Sequence, residues 1–471
     1  MDLSRFIKRV YGLTLLALTA SLVSADHSAM QRLIRIQFCF VIFVGIFSGA
    51  LVSVAALEPT PNDPYFAKFK LIKAPRTKRL LLEKGDRLAI CGDSITEQKM
   101  YSRIMETYLT VCVPELDVTV RQYGWSGEKT AGFVDRMKND CLRFKPTIAT
   151  TCYGMNDHEY KPFVPRIGKR YRTESECMVE EFKANGCRVV LGSPGCVGKV
   201  PWWVLSAAGT VQDLNLNLCE LRNIGISVAR DEHVPFADVF RPMLITTYEG
   251  KKKYGADYEI PGSDGVHPGW AGQLVMAYAF LEALGLDGDI GTITVDFSGK
   301  KPANVSAGHQ LLSASATELR IRSSRYAFCS TNTAVSDGTN GTLRSALALV
   351  PFNEGLNRFV LVARNGTAES YKVTWGEHAR VYSAKDLARG VNLAQDFVVN
   401  PFWEAFHNVD EAVAAKQAYE TKQIKEAFRN QAARLDMAAV VKKTEAERAK
   451  LAEEIRKSFV LVEHTLRIER N

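Results

Sequence analysis

The sequence predicts an α/β protein: a parallel sheet covered on both faces by helices, then a small antiparallel β module and a helical C-terminal region. From Arg87 to about residue 287, short apolar runs alternate with helix-length stretches, the pattern of a parallel sheet whose crossovers are helical. Beyond Asp287-Gly288 the runs shorten and alternate in polarity between Gly-, Asn- and Ser-rich turns, as antiparallel strands do. The 471 residues are 46% hydrophobic and 24% charged, which suits two or three packed domains and excludes a disordered or low-complexity chain.

Taken in order, residues 1–57 read as a targeting segment. Ile36 to Leu57 is free of charge, long enough to span a bilayer, preceded by Arg32 and Arg35, and closed by Ser53-Val54-Ala55-Ala56, which fits a signal-peptidase site. Met30 reads as the true start, with residues 1–29 an extension. A helical hairpin or an uncleaved anchor is the alternative, and either way the body is expected to be exported, with membrane contact only through this segment. Lys and Arg total 60 against 52 Asp and Glu, with no dense basic cluster, so no nucleic-acid partner is expected. Of the ten Cys, Cys39 lies in the apolar segment; no C-x-x-C occurs, and buried free thiols are expected for most of the rest.

Residues 58–84, rich in Pro and Lys, read as an extended linker or wrap. The α/β domain is placed at 85–287. Strands are expected at Leu88–Cys91, Val118–Gln122, Thr147–Tyr153, Arg188–Leu191 and Val234–Val239, and helices near 98–112, 128–141, 172–185, 211–230 and 269–284. The β-rich module is placed at 288–383, with strands at Thr292–Phe297, Glu318–Ile321, Ser345–Val350, Arg358–Val362 and Tyr371–Trp375. Residues 384–471 read as helical, closed by one strand in which Val460, Val462, His464, Leu466 and Ile468 alternate with polar residues.

Four pieces carry chemistry. The first strand runs into Gly92-Asp93-Ser94-Ile95, setting Ser94 at the carboxyl end of a parallel strand and at a helix N-terminus, where ligands bind and oxyanions are stabilised. Plain helix capping is the bland alternative for Ser94. Gly124-Trp125-Ser126-Gly127 follows the second strand; Glu128 spoils the G-x-S-x-G pattern, so Ser126 is the weaker nucleophile candidate and Gly127 offers an open backbone N–H, or is a simple turn glycine. Gly154-Met155-Asn156-Asp157 follows the third strand, where Asn156 either donates to a developing negative charge or closes an Asx turn. In Asp264-Gly265-Val266-His267-Pro268, an Asp three residues before a His can orient the imidazole as a general base; the bland reading is a capping loop.

Together these blocks resemble the SGNH (GDSL-like) hydrolase family, whose Ser, Gly, Asn and His blocks occur in this order. The resemblance covers about residues 85–287 and implies a flavodoxin-like three-layer α/β/α fold with a serine esterase site. It implies Ser94 as nucleophile, His267 as base, Asp264 as its orienter, and an oxyanion hole from Ser94, Gly127 and Asn156. Block one reads Gly-Asp-Ser-Ile rather than Gly-Asp-Ser-Leu, an apolar swap.

Other motifs fail. His158-Glu159 lacks the second His of a zinc helix, because Pro162 stands there, and Gly192 to Lys199 lacks the Ser/Thr of a phosphate loop and reads as a flexible rim loop. No cofactor and no metal are implied. Asn304, Asn340 and Asn365 lie in N-x-S/T sequons. Trp202-Trp203 after the fourth strand reads as a platform for sugar rings or as core packing. No apolar segment long enough for a lipase lid occurs in 85–287. The expected function is therefore an exported serine ester hydrolase removing short acyl groups, such as acetyl, from a small-molecule or polysaccharide ester. The alternatives are a lysophospholipase-like lipid esterase, an O-acyltransferase, or a non-catalytic cell-surface scaffold.

Overall fold

A strand buried on both faces reads as an unbroken apolar run, and Leu88-Ala89-Ile90-Cys91 behaves so: every residue from Leu88 to Gly92 is buried. The computed structural model describes residues 56–204, 209–298, 303–330 and 342–471; the targeting segment up to Ala55, with Met30, and the sequon at Asn340 lie outside the described residues. Strands β1 (Arg87–Gly92), β2 (Thr119–Gly124), β3 (Ile148–Cys152), β4 (Arg188–Gly192) and β5 (Phe236–Ala237) form one parallel sheet in the order β2-β1-β3-β4-β5. Successive side chains leave opposite faces. Leu88 and Ile90 thus enter one hydrophobic cluster, with Leu274 and Phe280, while Ala89 and Cys91 enter another, with Phe133 and Phe182. Two cores around one sheet make the three-layer α/β/α fold.

The covering helices include Tyr101–Val111, Thr130–Asp140, Pro165–Ala184, Val211–Asp231 and Trp270–Ala283. The third starts seven residues before the expected 172, because Pro165 occupies its first turn, where a missing N–H costs nothing. A further helix, Phe240–Tyr254, was not anticipated; its last turn, Lys251-Lys252-Lys253, hides the apolar stripe of Phe240, Met243 and Leu244. Residues 58–84 are no free linker. Phe66, Phe69, Leu71 and Leu82 are buried, fully buried Arg222 donates to Ile72 O at 2.8 Å, and Asn223 Nδ2 donates to Lys70 O at 2.8 Å. This segment is a strap held by helix Val211–Asp231.

The β-rich part holds two sheets. One orders β13 (Val391–Asn392), β10 (Arg358–Arg364), β6 (Asp289–Asp296) and β7 (Ala303–Val305); the other orders β12 (His378–Ser383), β11 (Ser370–Trp375), β14 (Val462–Arg470), β9 (Glu318–Ser323) and β8 (His309–Ala314). All their pairs are antiparallel except β6 with β10, which is parallel. The expected strand Ser345–Val350 is a correction: Thr342 Oγ1 accepts from Ser345 N at 3.3 Å and starts the helix Leu343–Leu347. Helices Trp403–Lys425 and Met437–Ser458 follow, and β14 closes the chain between β11 and β9.

The long helix Trp403–Lys425 covers β2, an edge strand whose free backbone groups need partners. Lys416 Nζ, almost wholly buried, donates to Val120 O at 2.7 Å and pairs with Glu106 and Glu420; Arg448 donates to the same carbonyl at 2.9 Å. Gln122 N donates to Glu420 at 3.2 Å. A polar seam therefore joins the C-terminal helices to the sheet.

Inside the β-rich part a directed hydrogen-bond chain crosses the second sheet. Trp375 Nε1–H donates to His464 Nδ1 at 3.1 Å, and because indole only donates, His464 carries its proton on Nε2 and gives it to Ser323 Oγ at 2.9 Å. Ser323 donates to His309 Nδ1 at 2.8 Å, and His309 Nε2–H ends on Ile290 O at 2.9 Å. Burial, with His309 alongside, pushes the His464 imidazole down to about 3. Between about pH 6.5 and about 3 the unfolded chain binds a proton at this residue that the folded one refuses, so stability falls as pH falls through that window. The slope from this group is up to about 1.4 kcal/mol per pH unit. Urea unfolding at pH 7, 6, 5 and 4 should show a steeper acid loss for the wild type than for His464→Gln; equal slopes would contradict the role of this chain.

Candidate active site

Each strand of the parallel sheet ends at the same edge, and each of the first three carries a motif one turn further on. After β1, the carboxylate of buried Asp93 accepts Ile95 N–H at 3.0 Å and caps the short helix Ser94–Glu97, leaving Ser94 half-buried at its first position. Burial, with Asp157 and Glu128 nearby, pushes the Asp93 carboxyl up to about 7. After β2, Gly127 takes φ +74°, a left-handed conformation that suits glycine, and is exposed. The backbone N–H groups of Ser94 and Gly127 have no acceptor among the described residues. After β3, Asp157 accepts Gly154 N–H at 3.0 Å and Thr130 N–H at 3.1 Å, tying the third block to the helix behind the second.

The loop before helix Trp270–Ala283 brings the fourth block to this edge. His267 Nε2 lies 2.8 Å from Ser94 Oγ, and His267 Nδ1 lies 2.7 Å from Asp264 Oδ2. Asp264 Oδ1 also accepts the N–H groups of Val266 at 2.8 Å and His267 at 2.9 Å. Partial burial works to raise the Asp264 carboxyl, but these bonds outweigh it and hold it below the usual carboxylate range. A deprotonated Asp264 fixes the proton on Nδ1 and leaves Nε2 free to accept one from Ser94. Gly265, at φ +83°, allows this turn to touch its neighbour: a Cβ there would stand 2.4 Å from Lys199 N. Gly198 N–H bonds Gly265 O at 2.9 Å, and Asn215 clamps Val197 by two hydrogen bonds. The segment Ser193–Val197 is thus buried, not the flexible rim the sequence suggested.

Asn156 donates one amide hydrogen to Glu128 O at 3.0 Å, and its Oδ1 lies 3.4 Å from Tyr160 OH. The second amide hydrogen is left for another acceptor. Ser126, the weaker nucleophile candidate, is exposed; its N–H donates to Glu97 Oε2 at 2.5 Å, and its side chain makes no hydrogen bond to His267. The Trp203 ring lies 5.7 Å from the His267 ring, Trp202 stands edge-on to Trp203 and is 82% exposed, and Tyr160 packs edge-on to Trp203 at 6.2 Å. Tyr160 and Glu97 enter the site although no motif marks them. Glu159 and Tyr160 both have positive φ; Glu159 is ringed by Lys129, Lys161, Arg166 and Arg170, and its bonds from Arg166, Lys161 and Arg170 hold its carboxyl far below the ordinary range. Non-glycine residues in this conformation carry strain that surrounding contacts must hold.

None of the nine described Cys is in a disulfide, and all but Cys177 are buried. A 710 Å³ cavity lies away from this site, between the strap at Pro75–Leu81 and the starts of β3 and β4. Ser94 and His267 do not line it, so volume alone does not mark the chemistry.

Residues 90–275 match the GDSL-like Lipase/Acylhydrolase family. An acetylxylan esterase of Geobacillus stearothermophilus is 23% identical over 226 residues, covering 43% of this chain and 95% of that protein. The solved structure of a gut microbial diltiazem-metabolizing enzyme matches 85% of this chain and 100% of its own, at 19% identity and TM-score 0.66. That likeness is one of fold, and it reaches beyond the α/β domain. A catalytic mutant of the Geobacillus stearothermophilus acetylxylan esterase Axe2 covers 44% of this chain and 97% of its own, at 22% identity and TM-score 0.37. With its four blocks in order along one five-stranded parallel sheet, the α/β domain of this chain is thus similar to the GDSL-like lipase/acylhydrolase (SGNH) family over residues 90–275.

Proposed function

We propose that the protein is an exported serine ester hydrolase that removes short acyl groups, acetyl above all, from a carbohydrate. The observation that carries this reading is the continuous chain from Ser94 Oγ through His267 to Asp264, with hydrogen bonds of 2.8 and 2.7 Å at the carboxyl edge of the sheet. Ser94 Oγ attacks the ester carbonyl as His267 Nε2 takes its proton. The negative charge that develops on the carbonyl oxygen meets the N–H groups of Ser94 and Gly127 and the second amide hydrogen of Asn156. His267 then gives the proton to the departing alkoxide, and the acyl group stays on Ser94. A water, deprotonated by His267, attacks the acyl carbon, and Ser94 leaves with the proton back on Oγ. Asp264 stays ionised throughout and stabilises the imidazolium.

The alcohol side of the ester is read from Trp202 and Trp203. An exposed indole beside a second one that leans on the His267 ring offers a flat apolar face at the place where the leaving alcohol departs, which suits a sugar ring better than a flexible chain. The 23% likeness to an acetylxylan esterase supports the same class. Export rests on the charge-free run Ile36 to Leu57 and its small-residue end.

A fluorophosphonate probe should label the wild type on Ser94 alone, and Ser94→Ala and His267→Ala should each lower turnover by roughly 10³-fold or more. Labelling on Ser126 instead would overturn the assignment. Asn156→Ala should cost about 10²- to 10³-fold in kcat with KM little changed; an effect on KM alone would remove Asn156 from the oxyanion site. In a chain-length series of nitrophenyl esters set beside acetylated xylan and lysophospholipid, acetyl substrates should be cleaved fastest. Faster cleavage of long-chain esters or lysophospholipid would move the assignment to a lipid hydrolase. N-terminal sequencing of the mature protein should begin near Ala56 to Glu58; recovery of the intact prefix in a membrane fraction would favour an anchor.

A further inference from the structure

The C-terminal helices lie outside residues 90–275, yet two of their cations reach the loops that carry Gly127 and Asn156. Lys425 ends helix Trp403–Lys425, and Arg429 lies four residues on, in the turn Ala427–Arg429. Lys425 Nζ pairs with Glu97 Oε1 at 2.7 Å, and the other oxygen of the same carboxylate accepts Ser126 N–H at 2.5 Å. One carboxylate thus joins the C-terminal helix to the backbone next to Gly127. Arg429 grips Asp140 through both terminal nitrogens, at 2.9 and 2.6 Å. Asp140 lies 3.4 Å from Arg136, which binds Glu128 through two bonds of 2.6 and 2.7 Å and Tyr123 O at 2.6 Å. The Glu128 carbonyl in turn takes one amide hydrogen of Asn156. Between the two chains Trp125 lies under three cations, with Lys425, Arg429 and Arg136 at 5.2, 5.2 and 5.1 Å from its ring.

We infer that Lys425 and Arg429 are positioning residues for the oxyanion site: Lys425 sets the Gly127 loop through Glu97, and Arg429 sets Asn156 through Asp140, Arg136 and Glu128. This rests on the esterase reading above. Neither residue is placed to touch substrate. Donors that must meet an oxygen at about 2.7 to 3.1 Å lose their value when their loop drifts by a fraction of that distance, so a brace outside the site controls turnover. The C-terminal region is then part of the catalytic unit although it supplies none of its reacting groups.

The test uses the full chain, with p-nitrophenyl acetate as substrate and phenylboronic acid as a tetrahedral mimic. Lys425→Met and Arg429→Met should each lower kcat by about 5- to 50-fold, part of the loss expected from removing one donor, with KM nearly constant. Phenylboronate affinity and the rate of fluorophosphonate labelling should fall in step with kcat. Lys425→Arg, which keeps the charge within reach of Glu97, should recover most of the loss. Lys450→Met, which breaks an exposed pair with Glu447 on the next helix, should change nothing and serves as the control. Melting curves taken alongside report the folded fraction; if a Met variant does not fold, Lys425→Gln and Arg429→Gln carry the same test. Folded variants whose kcat equals the wild type, or whose loss lies in KM alone, overturn the inference and leave the esterase reading standing. A wild type that neither cleaves the ester nor takes the probe on Ser94 overturns both.

Discussion

A parallel sheet turns every strand into its helix at one edge, and that constraint places three of the four candidate blocks of this chain. Ser94, Gly127 and Asn156 come from three strands that are neighbours in space, β1, β2 and β3, so three loops meet without any long excursion. The same geometry supplies short helix N-termini whose N–H groups have no partner inside the helix. Capping of Ile95 by Asp93 leaves the Ser94 N–H still free, so one turn serves both the fold and the site. His267 arrives from a loop 173 residues further along, which is why its placement needs its own supports. The Asp264 turn is locked by two backbone N–H groups and by the Gly198 to Gly265 bond, so the imidazole is aimed before any substrate arrives.

The cost of an open sheet is its edge. Strand β2 ends the sheet, and the chain covers it with a helix that brings buried charge to the strand as well as apolar side chains: Lys416 is almost fully buried between Glu106, Glu420 and the Val120 carbonyl. Desolvating such groups offsets most of the attraction between them, so this seam adds little net stability compared with a hydrophobic one. Its value is directional. A charged lysine with two carboxylates and one carbonyl accepts only one register of helix against strand, whereas apolar packing would tolerate a slide. Register at Lys416 fixes where Lys425, about two and a half turns on, and Arg429, just past the helix end, fall beside Trp125.

The sequence made the sheet legible because the apolar runs of β1, β3 and β4 are buried on both faces and carry no competing signal. The helix Phe240–Tyr254 was missed because its apolar stripe is confined to one end and three lysines follow. Ser345–Val350 misled because Leu347 and Leu349 alternate as in a strand, while the decisive feature, Thr342 capping Ser345, is a single hydroxyl. In the site, Ser94, Asp264 and His267 were visible as local motifs whose spacing mirrors their geometry. Glu97, Tyr160, Lys425 and Arg429 were not, since each acts through contacts across the fold, and Lys425 meets Glu97 from 328 residues away. Periodicity records which face a residue takes, and motifs record local turns; neither records which distant helix end arrives at a loop.

The ring of cations around Glu159 shows the same economy of position. Two successive left-handed residues, Glu159 and Tyr160, form a conformation that an isolated loop would leave. Four cations converge on one half-buried carboxylate, and so many partners at once hold the backbone more firmly than a single exposed pair would. What the strain secures is the direction of the next side chain. Tyr160 then stands between Asn156 and Trp203, with its hydroxyl toward the first and its ring against the second. The Glu159–Tyr160 backbone thereby sets the position of a ring that bridges Asn156 and Trp203. Charge is thus gathered at a loop where two successive non-glycine residues hold a left-handed backbone.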